Sequence, residues 1–205
     1  MTSGQRWAAI AIVGAAAAMA SIRFAPAAER PDDPGLAARY DAAMASYDAR
    51  RFDEARREFE ALAGEGVAQA EFMLGVMHEY GDGVGASYGD AVRWYEAAAD
   101  RGLTSAETRL GLLCMDGTGM PPDPRRARQW LERAARKRDP LALLTLGDMS
   151  ARGQGAPQSL EDAYAYYLLA KDAGSPKADA AIADLTDTLS AGRREEAARR
   201  AAMID

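Results

Sequence analysis

The chain holds one cysteine and one histidine in 205 residues. A single thiol forms no internal disulfide and builds no cysteine-based zinc cluster, and one imidazole excludes a multi-histidine centre, so no metal is expected. Positive charge is also short: 25 Lys+Arg stand against 31 Asp+Glu, a formal net charge of −6. Such a chain lacks the concentrated basic face that phosphate recognition needs, so nucleic acid is not an expected partner. No segment shows the alternating, β-branched pattern of a strand.

What is present begins with an apolar start. Arg6 is the only charge in residues 1–22, and the run from Trp7 to Ile22 is uncharged. A basic start, an apolar stretch and small residues at Ala18 and Ala20 form the three-part pattern of an export signal cut after Ala20, with Ala25-Pro26-Ala27 a second site. Left uncut, residues 1–24 act as an N-terminal membrane anchor with Arg6 inside and the body outside. Both readings give an exported protein, periplasmic or anchored in the inner membrane and facing the periplasm. Residues 25–35 carry three prolines and read as a linker.

The body repeats every 36 residues. Leu74-Gly75, Leu110-Gly111 and Leu146-Gly147 keep that step, as do Ala70, Ala106, Ala142 and Ala178. Trp94, Trp130 and Tyr166 share a third register. Gly66, Gly102 and Gly174 share another, in which Arg138 takes the missing place. Each copy reads as two helices. In the clearest, Ala70, Leu74 and Met77 fall on one face of the first, and Ala91, Trp94, Tyr95 and Ala98 on one face of the second. Gly81-Asp82-Gly83-Val84-Gly85 breaks the chain between them. Trp94 is expected in the core.

The stretch Ala70 to Gly102, with Leu74-Gly75, Gly81-x-Gly83, Trp94-Tyr95 and Ala98-Ala99, resembles a Sel-1-like repeat, a relative of the tetratricopeptide repeat with a longer inter-helix loop. The resemblance implies an all-α fold, an α-α solenoid of stacked helix pairs. Repeats are expected at 68–103, 104–139 and 140–175, after a degenerate tetratricopeptide-like first unit at 36–67. Residues 176–205 are expected to hold a terminal half-repeat and a capping helix, since the last unit must present a polar outer face. The resemblance further implies a protein-interaction scaffold or regulatory adaptor, with no cofactor. The alternative it brings is an envelope hydrolase, like the cysteine-rich relatives associated with β-lactams. That branch carries paired cysteines in each repeat, whereas this chain has Cys114 alone.

His78, Cys114 and Ser150 form one 36-residue column, which suggests either a Cys–His nucleophile pair or a shared packing position. The run Arg125-Arg126-Ala127-Arg128 opens a second helix and reads as a solvated face or a minor anion-binding surface. In stacked arrays the first helices line a concave side. The stripe expected there is Gln69, Met73, Val76 and Tyr80, repeated as Ser105, Arg109, Leu112 and Asp116, and as Leu141, Thr145, Asp148 and Arg152. Its blend of Met, Leu, Tyr, Arg and Asp suits a protein or peptide partner.

Overall fold

The computed structural model describes residues 29–204. The expected signal or anchor, residues 1–24, lies outside them. Among the described residues there are ten α-helices and no strand, and none of the helices is long and apolar enough to cross a membrane. They are α1 (Pro34–Asp48), α2 (Phe52–Gly64), α3 (Ala68–Tyr80), α4 (Tyr88–Asp100), α5 (Thr104–Asp116), α6 (Pro124–Ala135), α7 (Pro140–Arg152), α8 (Leu160–Asp172), α9 (Ala178–Thr186) and α10 (Ala191–Ile204). Each helix from α1 to α8 packs on the one that follows it, and α10 turns back past α9 onto α8. The molecule is an α-α solenoid.

The sequence places the helix ends. Ser87, Asp123 and Ser159, one residue per repeat, accept hydrogen bonds from the first-turn amides of α4, α6 and α8. Gly81, Gly117 and Gly153 end α3, α5 and α7 in the left-handed conformation. The helix α1 starts at Pro34, inside the segment expected to be linker. Proline is tolerated at a first helical position, and the Asp33 side chain caps the helix through the Leu36 amide.

The Leu-Gly column has a steric cause. A Cβ on Gly75 would stand 2.6 Å from Cε1 of Tyr95, so the glycine lets the ring lie against the α3 backbone. Leu131 lies over Gly111 and Tyr167 over Gly147 in the same way. Gly147→Ala is expected to cost about 1–3 kcal/mol, the range for overpacking a tight core, read as a lower denaturation midpoint at unchanged slope. The loop glycines make a second recurring fit. Gly83, Gly119 and Gly155, all at positive φ, rest on Phe52, Tyr88 and Pro124, the first residues of the preceding unit's second helix. Arg138, in the glycine place of its register, also adopts a positive φ, of 63°.

The core contains Phe59, Phe72, Leu74, Met77, Tyr95, Leu110, Leu131, Leu146 and Met149, all fully buried. Trp94 does not belong to it as expected. It is half-buried and packs against the rim of the cluster, while its neighbour Tyr95 takes the interior place. Two side chains adjacent on a helix point about 100° apart, so only one of them can fill the gap between α3 and α4.

Candidate protein-binding face

The first helices α3, α5 and α7 are the elements on which the twelve candidate residues sit. Three of these residues do not line an open surface. Met73 is 0% exposed, Val76 1% and Thr145 7%. The helix α3 packs chiefly on α4 and α2, and the long Arg109 side chain on α5 reaches Glu79 at its far end. The middle of the stripe is covered within this packing, and Met73 and Val76 join the core. The Thr145 hydroxyl donates to the Leu141 carbonyl one turn back, at 2.7 Å.

Further candidates are held by internal bonds, among them Ser105, whose amide and hydroxyl donate to Glu29. Arg109 donates through Nε to Oε2 of Glu79 at 2.9 Å and pairs through its second nitrogen with Oε1. The same carboxylate accepts from the Tyr95 hydroxyl at 2.8 Å. Burial lowers the Arg109 guanidinium from its usual value, and the charge on Asp116 acts in the opposite direction. Asp148 accepts from the Tyr167 hydroxyl at 2.7 Å, and burial, then Asp148, push that hydroxyl above its ordinary value. Gln69, Tyr80, Ser105, Leu112 and Leu141 are half-buried, while Asp116 and Arg152 are exposed.

Buried carboxylates form a second register. Glu71 accepts from Nε of Arg101 at 3.0 Å through both oxygens. One unit later, Glu107 is 1% exposed and accepts from Arg133 at 3.0 Å and Lys137 at 2.8 Å. Arg133 and Lys137 also donate to the carbonyls of Ala99 and Gly102, at and just past the carboxyl end of α4, where the helix dipole favours cations. The pattern was readable as Glu71 to Glu107 and Arg101 to Lys137, both at the 36-residue step. The basic run of α6 is largely engaged in the same manner. Arg126 reaches Glu96 at 2.5 Å, and Arg128 donates to the Ser150 hydroxyl at 2.9 Å.

His78, Cys114 and Ser150 share a backbone task. Their carbonyls accept from the amides of Ser87, Asp123 and Ser159 and so close each inter-helix loop. The Cys114 thiol lies against the Met120 sulfur at 3.3 Å, and burial raises its pKa. A raised thiol pKa keeps the group protonated, the opposite of what activates a cysteine nucleophile. Among the described residues no group of three or more His, Cys, Asp or Glu is placed to hold a metal ion.

Asp139 caps α7, its Oδ1 accepting from the Ala142 amide at 2.7 Å. Burial pushes its carboxyl above the ordinary range, against that cap bond. The folded state therefore takes up its proton at a higher pH than the unfolded chain does. As pH falls from neutrality through the folded value, this group adds stability, until the unfolded carboxyl also protonates near about 3.9. Asp139→Asn keeps a capping oxygen without the charge. Denaturation midpoints of the variant should lack this gain in mildly acidic buffer, while the parent shows it.

A family model described as Sel1 repeat matches residues 68–103, 104–139 and 140–175. Two solved structures are similar. One is a Sel1 repeat protein from Oxalobacter formigenes, 25% identical with a TM-score of 0.67, the match covering 73% of this chain and 59% of that one. The other is c5321, a protective antigen present in uropathogenic Escherichia coli strains and displaying an SLR fold. It is 26% identical with a TM-score of 0.65, and the match covers 73% of this chain and 33% of that one. The chain thus spans about three fifths and one third of the length of these two structures. No curated protein matches by sequence.

Proposed function

Since the chain belongs to the Sel1 repeat family, whose members are generally protein-interaction scaffolds, we propose that it is an adaptor of the bacterial cell envelope that holds a partner protein or peptide on the face of its first helices. One observation carries the reading. The 36-residue copies act as the chain's own internal alignment, and packing columns keep their residue type: alanine at 70, 106 and 142, glycine at 75, 111 and 147. Surface positions of the first helices do not. Gln69, Ser105 and Leu141 occupy one register, and Tyr80, Asp116 and Arg152 another. A surface that varies on a constant scaffold suits recognition of one irregular partner. The apolar start with Arg6 supports an envelope location, with the N-terminus as signal or tether.

The experiment is in-cell photocrosslinking of the full chain at Leu112 and Leu141, with Arg93, exposed on α4, as the control position. The same discrete adduct at both leucines and none at Arg93 is the expected result. Adducts at Arg93 with none at Leu112 or Leu141 would move the binding face elsewhere. For location, protease added to spheroplasts should digest the body, and full protection would place it inside.

A further inference from the structure

We infer that two copies of this chain associate by exchanging α10, each copy seating its α10 on the α8 of the other. The inference goes beyond the adaptor reading and stands without it.

The helix α9 keeps the repeat register, since Ala178 continues the column of Ala70, Ala106 and Ala142. In the three units before it, the following helix packs on the first one where Gly75, Gly111 or Gly147 admits a side chain against the backbone. The same place on α9 is held by Ala183. A Cβ at the three glycine places would stand no more than 2.6 Å from the facing side chain, so Ala183 closes that seat. The helix α10 turns back onto α8 instead. There Ala165, Tyr166 and Leu169 are buried, and Ala201 of α10 joins their apolar cluster. Without such a cover the face is open. Arg93 and Gln129, in the place of Ala165, are exposed, and Trp94 and Trp130, in the place of Tyr166, are half-buried.

The hold on α10 is slight. Ala197 and Ala201 are its buried residues. Its two ion pairs with α8, Arg193 with Glu161 and Arg200 with Asp162, each span 2.6 Å between partly exposed side chains, and such pairs add little. The turn before it is also unlike the others. The bend from α1 to α2 uses Arg50 at positive φ, and the next three use glycines 81 and 83, 117 and 119, and 153 and 155. From Ala178 to Ala191 there is no glycine, no proline and no positive φ. Helical bonding runs as far as Leu189, whose amide donates to the Leu185 carbonyl at 2.9 Å, and it resumes with Arg194 to Ser190 at 3.0 Å. Leu185 and Leu189 already lie together with Ala163 and Tyr167. A helix continuous through 187–190 is therefore open to this sequence, and it recovers the bonds that the turn interrupts. It also carries α10 off its own α8 and bares both faces. Two copies in that state remake every lost contact by reciprocal exchange, which closes as a two-fold dimer.

The test uses two variants of the full chain. One carries Glu161→Arg and Asp162→Arg, the other Arg193→Glu and Arg200→Glu. Within either variant, like charges meet at both ion-pair places. Exchange between the two variants restores opposite charges at all of them. Native mass spectrometry of an equimolar mixture, refolded together from urea, should show the mixed dimer at roughly tenfold over either homodimer. Ser190→Pro added to both should abolish it, because the proline ring meets the carbonyl four residues back and forbids a helix through 190. In the otherwise unaltered chain, Thr188→Ala with Ser190→Ala should raise the dimer fraction several-fold, alanine being the stronger helix former. Both positions are exposed, so this arm decides even where the charge variants fold poorly. A mixture that stays monomeric, a mixed dimer that survives Ser190→Pro, or a dimer fraction unmoved by the two alanines would each overturn the inference.

Discussion

Arg109→Ala is expected to destabilise the body by about 3–5 kcal/mol, the range for stranding one member of a buried ion pair. The partner left behind is Glu79, on a side chain only 4% exposed, with Arg109 itself 11% exposed. The Tyr95 hydroxyl bonds Glu79 but carries no charge to balance it. The loss should therefore come from the carboxylate. Adding Glu79→Gln should restore most of it, because a neutral amide still accepts from Tyr95. Urea denaturation of the parent, the single variant and the double variant measures both numbers. A double variant no more stable than the single one would place the effect of Arg109 in packing instead of charge.

Tyr95→Ala is expected to cost about 3–5 kcal/mol, the range for emptying a large aromatic site. The ring is fully buried, lies over Gly75, and packs at a tilt on Phe72 with ring centroids 5.2 Å apart. Trp94→Ala, one residue earlier, should cost about 1–2 kcal/mol, since a half-buried ring gives up less area. Measuring the two side by side tests the assignment. A Trp94 variant at least as unstable as the Tyr95 one would reverse their roles.

That pair also shows how far the amino-acid pattern reaches. A 36-residue step in alanine and glycine exposes the helix pairs because the repeat arises from packing, and packing demands small residues where rings from a facing helix arrive. The all-helical solenoid follows from Leu74-Gly75 and its copies. Exposure is another matter. Met73 and Val76 share a stripe with Gln69 and Tyr80 on a helical wheel, but which part of that stripe the neighbouring helices cover is a property of the stack, not of one helix. Trp94 was misplaced for the same reason, as the shared register with Trp130 and Tyr166 fixes a direction and not a depth. Glu71, Glu79 and Glu107 carry no local mark of burial, because their cationic partners lie 26 to 30 residues away in the chain. Glu29 gave no signal at all. It sits in a proline-rich stretch, and its partner helix lies three units further along the chain.

The seating of Gly83 on Phe52, Gly119 on Tyr88 and Gly155 on Pro124 has a consequence for how such a chain can grow. Every joint is made by the same backbone fit, and what it receives is a helix start, whatever side chain that start bears. A second copy of residues 104–139 spliced in after Asp139 would find the same backbone seat at its new joint, although its Arg109 would have Met115 at the register where the parent offers Glu79. Length can then be gained by duplication in a single event, with that one buried pair left to be re-established by substitution.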